Sequence, residues 1–263
     1  MPVVDFDPEL AALRPLGGFF VLRTLPHPAG ADPSRPPRAA GAGPWRLPVL
    51  ADGYGAGTPD PRRDPLALRV ATVAGRLRTA EPRVAASLAH QGLAARLWSA
   101  ALGCAVLYGR VPDLDPRLLR WDARATAPDD LWLIGPRPLP GDAATLAATV
   151  LHGHLEPLAA TLRARYGVAA GLLWGNAGSA LAATARELGR WARAHGRTDV
   201  AARARALTGE LFAHPLLETT GSRTGTAFRR RSCCLYYRVP GGGVCGDCCF
   251  TRPPRSSPDG TSG

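Results

Sequence analysis

The chain has 263 residues, of which 46% are hydrophobic, so it can build a core and is not disordered throughout. Its formal net charge of +11 comes from arginine alone, since the sequence contains no lysine. The arginines are spread along the whole chain, so the overall composition explains the positive charge better than a nucleic-acid-binding patch does. Attraction to an acidic partner is a second interpretation of the charge. The longest apolar run, 97–108, is too short for a membrane span, so stable membrane insertion is not expected.

The N-terminal part of the chain, residues 1–64, is rich in proline and glycine and is predicted to be irregular. A short apolar segment at 19–22 is predicted to form a strand within it. Residues 1–5 show no cationic region followed by an apolar stretch, so no secretory signal is expected. The predicted location of the protein is therefore the cytoplasm.

Residues 65–218 are predicted to form a helical domain, because alanine, leucine and arginine recur there with helical spacing. The clearest helix begins at Glu81-Pro82 and extends to Tyr108, with proline in the first turn, where its missing N–H has no helical partner anyway. Further helices are predicted at 142–155, 157–166, 168–194 and 198–212.

Glycine and proline mark the predicted boundaries of these helices. Gly153 and Pro157 are predicted to interrupt the third helical region, and Gly167 and Gly196 are predicted helix stops. A short apolar run at 131–134, followed by Gly-Pro, is predicted to form a strand. The predicted fold class is mainly α, with a few short strands and a small C-terminal module that contains most of the cysteines.

The composition changes again after residue 218. Residues 219–222 are predicted to be a linker that opens a module at 219–250, and 251–263 are predicted to be a disordered tail. The module contains five of the six cysteines. A segment this short buries little core, so a metal centre would stabilise it. In a reducing compartment, clustered cysteines are more typical of metal ligands or catalytic thiols than of disulfides.

Four cysteines, Cys233, Cys234, Cys245 and Cys248, follow the pattern C-C-x10-C-x2-C. In the second half, the two-residue gap lets both sulfurs face one metal, and Gly246 lets backbone N–H groups turn towards them. In the first half the two cysteines are adjacent, and closing both on one tetrahedral zinc needs a contorted turn. A [2Fe–2S] cluster offers more varied attachment points and is the leading interpretation.

Other interpretations of the cysteines stay open. A structural zinc site conflicts with the usual ligand spacing, and a thioredoxin-like thiol pair needs a helix where a proline-rich tail follows. A c-type haem needs histidine at the position of Cys249. Cys249 itself is either an inert thiol or a substitute ligand, whereas Cys104 lies in an apolar helical run and is predicted to be a core residue. The Pro-Gly-Gly-Gly run at 240–243 is predicted to form the tight reversal that brings the two halves together.

This cysteine segment resembles that of the FhuF-like ferric siderophore reductase family, in which a C-C-x10-C-x2-C module holds a [2Fe–2S] cluster. The similarity covers 233–238, 240–243 and 245–248, extends weakly to 94–99 and 173–176, and ends at Cys249. It implies an oxidoreductase of the cytoplasm that reduces siderophore-bound Fe³⁺ to Fe²⁺. It also implies that the cofactor is a [2Fe–2S] cluster held by Cys233, Cys234, Cys245 and Cys248, and no catalytic residue beyond the cluster is predicted.

The chemistry is consistent with this resemblance. A hard oxygen-donor chelator holds Fe³⁺ far more tightly than Fe²⁺, so one electron is enough to loosen the metal, and a [2Fe–2S] cluster carries one electron. The sequence has no G-x-G-x-x-G motif after a strand and no phosphate-binding loop, so no nucleotide or flavin site is predicted. The expected partners are a ferric siderophore and a separate electron donor such as a ferredoxin, which the basic surface would attract.

The helical domain is expected to supply the pocket for the siderophore. For each tryptophan considered there, core packing is the alternative interpretation. The residues considered for the pocket are Trp98, Trp121, Trp174, Asn176 and Ser179. The residues predicted to contact the substrate are Trp98, Trp174, Asn176 and Arg238.

Three other functions compete with a ferric reductase. An iron–sulfur sensor that binds DNA requires a basic recognition helix, and no helix–turn–helix pattern is evident, so no nucleic-acid partner is expected. A non-catalytic electron-transfer protein would contain the same cluster but would not react with ferric chelates. A siderophore-binding protein stabilised by zinc would contain a different metal.

Overall fold

The computed structural model describes residue 10 and residues 13–25, 43–55 and 64–254. The predictions for 1–5, for most of the proline-rich stretch and for 255–263 therefore lie outside the described residues. Six α-helices are described, and a π-helical segment at Ala147–Leu155 joins the third to the fourth. They are α1 (Pro65–Leu77), α2 (Pro82–Tyr108), α3 (Ala143–Leu146), α4 (Glu156–Tyr166), α5 (Ala170–Ala194) and α6 (Thr198–Phe212).

Helix α2 is the central element of the core and matches the prediction. Pro82 occupies its first turn, and Gly109 ends it with a left-handed conformation (φ 70°) that glycine adopts without strain. Buried residues lie on every face of the helix, which is typical of a helix enclosed by other elements. Its most extensive packing partner is α5, which therefore shares the centre of the molecule.

The predicted break near Gly153 and Pro157 is wrong, because the backbone runs continuously from α3 through the π-helical segment into α4. Proline lacks the N–H that an α-helix would bond to the carbonyl four residues earlier. The wider π-turn accommodates it, and the N–H of Glu156 bonds to the carbonyl of Leu151, five residues back. The predicted stops at Gly167 and Gly196 are confirmed, and both have positive φ.

Seven short strands complete the described elements. β1 (Arg23–Leu25), β4 (Leu131–Ile134) and β3 (Leu119–Trp121) form one sheet in that order, with β1 parallel and β3 antiparallel to β4. The predicted strand at 131–134 is thus confirmed. Two antiparallel pairs stand apart from this sheet: β2 (Arg110–Pro112) with β5 (Pro138–Pro140), and β6 (Gly221–Thr224) with β7 (Ala227–Arg230). The mainly α fold class is confirmed.

The strand predicted at 19–22 is wrong, because the strand begins at Arg23. Gly17 has a φ of 104° and starts a turn that the N–H of Phe20 closes on the carbonyl of Gly17 (3.0 Å). Phe20 is buried nonetheless, and its ring packs so closely on Gly103 of α2 that a Cβ there would lie 2.9 Å away. The described residues of the N-terminal segment therefore contribute to the core.

The predicted linker at 219–222 is also wrong, because Gly221 begins β6. The two-residue connection of the β6–β7 hairpin contains Gly225 at a φ of 60°. Phe228 of β7 is buried and its ring centroid lies 5.4 Å from that of Phe212. The hairpin thus attaches the cysteine segment to α6, while the division into domains at 64, 218 and 250 stays a prediction.

No helix in the described ranges combines the length and the apolar character that crossing a membrane requires.

Candidate metal centre

The cysteine segment follows β7 and turns back on itself twice. Leu235 adopts a left-handed conformation (φ 68°) before a 3₁₀ turn at Tyr236–Arg238. The predicted reversal at 240–243 is confirmed: Gly241 has a φ of 72°, and the N–H of Gly242 bonds to the carbonyl of Val239 at 2.7 Å. These turns bring the two halves of the cysteine pattern together, as their sequence spacing predicts.

The first thiol pair is Cys234 with Cys245. Their sulfurs lie 3.5 Å apart, and the side chain of Cys234 is buried, whereas Cys245 is partly exposed. Two thiolates bound to one tetrahedral metal at 2.3 Å stand on the order of 3.8 Å apart. The observed separation is therefore close to that of two ligands of a single metal ion.

Cys233 has different neighbours, although it is adjacent to Cys234 in the chain. Burial raises the pKa of Cys233, and the thiols of Cys249, Cys248 and Cys245 raise it further. Burial also raises the pKa of Cys249, and the charge of the neighbouring Cys248 raises it further. Cys233 therefore has Cys248 and Cys249 as neighbours in addition to Cys245, which is the partner of Cys234.

Within the described ranges, no three His, Cys, Asp or Glu side chains are arranged to hold a single metal ion. A structural zinc site needs four ligands that converge on one point. In a [2Fe–2S] cluster each iron takes only two protein ligands, so two separate thiol pairs are what such a cluster requires. The arrangement of the cysteines therefore fits a [2Fe–2S] cluster.

Two of the thiols predicted to bind the cluster accept a hydrogen bond from a backbone N–H two positions later. Leu235 donates to Cys233 (3.3 Å) and Phe250 donates to Cys248 (3.4 Å). The backbone N–H groups of Tyr236 and Asp247 also act to lower the pKa values of Cys234 and Cys245 respectively. Such donors stabilise negative charge on sulfur and raise the potential of a thiolate-bound centre.

The contact between Cys234 and Cys245 favours deprotonation of the Cys234 thiol. The hydrogen bond between the two side chains lowers the pKa of Cys234 to about 7, and the same bond is the main reason that the pKa of Cys245 is raised. The positive charge of Arg230 further favours the thiolate of Cys234. The thiolate is the form that binds metal, so the pair presents a ligand near neutral pH.

Arg230 provides the test of whether the site fits an anionic cofactor. Its side chain is 3% exposed, and Nη1 donates to Oδ1 of Asn176. Its Nε and Nη2 have no hydrogen-bond partner, and no acidic side chain in the described part of the chain forms an ion pair with it. A buried guanidinium without a countercharge is costly. It lies near Cys234 and Cys245, where the negative charge of a thiolate-bound cluster would compensate it.

Polar side chains of α2 and α5 hold the cysteine segment in place. The hydroxyl of Ser87 donates to the carbonyl of Cys234 (2.8 Å), and Nδ2 of Asn176 donates to the carbonyl of Ser87 (2.8 Å). Ser179 Oγ donates to Oδ2 of Asp247 (2.6 Å), the residue that precedes Cys248. The two central helices therefore position both halves of the cysteine pattern.

Two glycines of α5 allow this close approach. A Cβ at Gly178 would lie 2.6 Å from Oγ1 of Thr220 and 3.2 Å from the ring of Phe228. A Cβ at Gly175 would overlap the hydroxyl of Ser232, the residue before the first cysteine. Gly171, on the same helix, would meet nothing within 4 Å.

The predicted pocket residues are not gathered into one cavity. Trp98 and Trp121 are buried in the core, and Cys104 is buried as predicted. Asn176 and Ser179 are buried against the cysteine segment, where their side chains bond to protein groups. Trp174 is partly exposed on α5, and Arg238 forms an ion pair with Glu81 (Nε–Oε1 2.8 Å). The substrate contacts predicted for Trp98, Trp174, Asn176 and Arg238 stay predictions.

The site also contains residues that the sequence analysis did not select. Ser87, Arg230 and Asp247 contact the cysteine segment directly or belong to it. His90 is fully buried with both ring nitrogens unpartnered, and burial and then the charge of Arg230 lower its pKa to about 3. Two of them had a sequence signal: Asp247 lies between two cysteines, and Arg230 is one of the arginines beside the cysteines that are expected to offset the negative charge of a cluster. Ser87 and His90 depend on tertiary contacts.

Comparison with known families gives two matches. Residues 230–250 match the family model described as the FhuF 2Fe-2S C-terminal domain. Residues 84–221, just over half of the chain, match the model described as a ferric iron reductase FhuF-like transporter. No curated protein matches the sequence. The first match spans the cysteines described above, and the cofactor is accordingly a [2Fe–2S] cluster.

Proposed function

Because the chain belongs to the family of FhuF-like ferric iron reductases, we propose that it reduces siderophore-bound Fe³⁺ to Fe²⁺ in the cytoplasm. One electron from a separate one-electron donor converts the chelated Fe³⁺ to Fe²⁺, and no bond of the siderophore is broken. The hard oxygen donors of the chelator then release the softer Fe²⁺. The family supports a ferric reductase; the siderophore and the mechanism are our proposal.

The observation that carries the proposal is the buried, unpaired cation of Arg230 beside Cys234 and Cys245. When bound, a [2Fe–2S] cluster supplies a one-electron redox centre. Arg230 and the backbone N–H groups that point at the sulfurs favour the more negative, reduced charge state at this position. The ligands of the proposed site are Cys233, Cys234, Cys245 and Cys248.

The surface around the cysteines suits an electron-transfer partner. Three of the four large apolar side chains that are exposed in the described residues belong to this segment: Tyr236, Val244 and Phe250. Arg231 and Arg252 are exposed on the same segment. An apolar patch with cationic neighbours fits an acidic donor such as a ferredoxin, since complementary charge speeds and orients such encounters.

The experiment that tests the proposal is an anaerobic visible spectrum of the reduced protein, freed of reductant, during addition of a ferric siderophore. Absorbance bands of the cluster that bleach on reduction and return in proportion to the chelate added would support a reductase. The corresponding Ga³⁺ complex, which cannot be reduced under these conditions, serves as the control and should leave the bleached spectrum unchanged. A cluster that stays reduced with ferric chelates of both the hydroxamate and the catecholate class would exclude the function.

A further inference from the structure

A cavity of about 170 Å³ lies between α5, α6 and the β6–β7 hairpin. Its walls include the small residues Ala182, Gly189 and Ala204 and the aromatic rings of Phe212 and Phe228. A protein cavity of about 150 Å³ is large enough to hold a benzene ring. The cavity therefore has the size and the apolar lining for a single aromatic ring.

The rim of the cavity is cationic. It includes four arginines, and no acidic side chain lines it: Arg186, Arg193, Arg205 and Arg223. Arg193 and Arg205 are exposed, and neither guanidinium forms a hydrogen bond or an ion pair with another residue that the structure describes. Arg223 lies over the ring of Phe212, with its guanidinium carbon 4.7 Å from the ring centroid. An anion at this rim would meet charges that the protein itself does not neutralise.

A polar group in the wall of the cavity also lacks a partner. Thr208 is 7% exposed, and its hydroxyl has no hydrogen-bond partner in the described part of the chain. Buried hydroxyls are usually hydrogen-bonded, because leaving one unpaired costs free energy. A ligand oxygen within reach of this hydroxyl would satisfy it.

The cavity is connected to the cysteine segment by one residue. Arg186 lines the cavity, and its Nη2 lies 3.1 Å from Oδ1 of Asp247, which sits between Cys245 and Cys248. The carboxylate of Asp247 is itself fixed by Ser179 (2.6 Å). A molecule held in the cavity therefore lies next to the segment that carries the metal centre.

We propose that this cavity binds an aromatic, anionic arm of the ferric chelate, with the ring inside and the phenolate or catecholate oxygens at the arginine rim. The inference rests on the proposed function and specifies its substrate class. A ferric complex with three catecholate arms carries three negative charges, whereas one with three hydroxamate arms is uncharged. The cavity thus distinguishes anionic aryl-oxygen chelates from neutral hydroxamates.

The test uses redox-inert Ga³⁺ complexes and the full chain with its cluster, with affinity measured by calorimetry at two salt concentrations. We expect the anionic tris-catecholate complex to bind at least tenfold more tightly than the neutral tris-hydroxamate complex, with an affinity that falls as salt rises. Arg193→Gln combined with Arg205→Gln should weaken catecholate binding about tenfold. The isosteric change Thr208→Val should weaken it severalfold without altering the cluster spectrum.

The matched control combines Arg83→Gln with Arg163→Gln, which removes the same charge from two exposed arginines that do not line the cavity. Equal binding of the two complexes, or equal loss in the control and the Arg193/Arg205 variant, would overturn the inference. The proposed function is tested separately by reoxidation with ferric chelates. Reoxidation without a preference for the catecholate complex would remove this inference alone, whereas no reoxidation by any chelate would remove the function on which it rests.

Discussion

The guanidinium of Arg230 is buried beside the thiol of Cys234, and it favours the thiolate form of that residue. Its one described hydrogen bond goes to Asn176 on α5, so it joins the central helices to the cysteine segment. A cation held in this way by a neutral amide keeps its full charge available for the sulfurs. This relationship leads to a prediction about the redox potential of the site.

Changing Arg230→Gln should lower the midpoint potential of the bound cluster. Removing a nearby positive charge destabilises the reduced, more negative state of the cluster. For the transfer of one electron, a shift of about 60 mV corresponds to a tenfold change in the equilibrium constant for reduction. A spectroscopic redox titration measures the shift. Arg229→Gln removes an exposed neighbouring charge and should change the potential much less, because water screens it. Equal potentials for Arg230→Gln and wild type would contradict the role assigned to this cation.

Substituting serine for Cys233, Cys234, Cys245 or Cys248 should abolish or shift the visible bands of the cluster. The change Cys249→Ser should leave them intact, because Cys249 lies outside the predicted set of four ligands. Cys104→Ser lies in the core and serves as the control for an unrelated thiol. Iron content and visible absorbance measure the outcome. A normal spectrum for Cys248→Ser together with an altered spectrum for Cys249→Ser would show that Cys249, and not Cys248, is the fourth ligand.

Gly178→Ala should destabilise the protein by roughly 1–3 kcal/mol, because its methyl group would collide with Thr220 and Phe228. Gly171→Ala, on the same helix and facing open space, should be neutral or stabilising. Urea unfolding of both variants gives the free energies. If both substitutions behave alike, the close approach of the hairpin to α5 is not needed for stability.

The stability of the fold should fall in mild acid because of His154. This side chain is fully buried, its Nε2–H donates to the carbonyl of Leu114 (2.6 Å), and Nδ1 accepts from the hydroxyl of Tyr54 (2.7 Å). Burial lowers its pKa to about 4, partly opposed by the bond to Leu114. In the unfolded chain the pKa is near 6.5, so the unfolded state takes up the proton first. The stabilising contribution of neutral His154 to the free energy of unfolding is therefore complete above pH 6.5 and is lost as the pH falls towards 4.

Unfolding free energies measured between pH 7 and pH 4 test this prediction. The His154→Gln variant should be less stable at pH 7 but should lose less stability on acidification. The unfolding free energy of this variant should still depend on pH, because His90 is also buried with a lowered pKa. His195→Gln changes an exposed histidine and should leave the wild-type profile unaltered. A profile for His154→Gln that parallels wild type would show that this residue does not titrate in the predicted range.

The sequence predicted the helices well because their signals are local. The end of α2 at Tyr108, the glycine stops and the whole of α6 depend on periodicity and on residues within one turn. The strands were mostly missed, because three-residue strands have no measurable alternation. Their pairing, such as Leu119 opposite Leu133, connects distant parts of the chain.

The cysteines were identifiable because their spacing carries chemical information, but their surroundings were not. Arg230 is one of 32 arginines in the sequence, and only the fold buries it. Asn176 was selected as a substrate residue, although the structure shows its amide bonded to Ser87 and Arg230. Contacts between residues nearly 90 positions apart leave no pattern in a single sequence.

The order of elements along the chain has a consequence for biosynthesis. Ser87 and Asn176, which hold the cysteine segment, are translated well before Cys233, and folding generally begins with the part made first. Until the last cysteines leave the ribosome, the helices of the growing chain therefore expose polar side chains that the cysteine segment covers in the complete protein. Cofactor insertion is consequently a late step of maturation, and a chain that stalls before it would expose these side chains to chaperones and proteases.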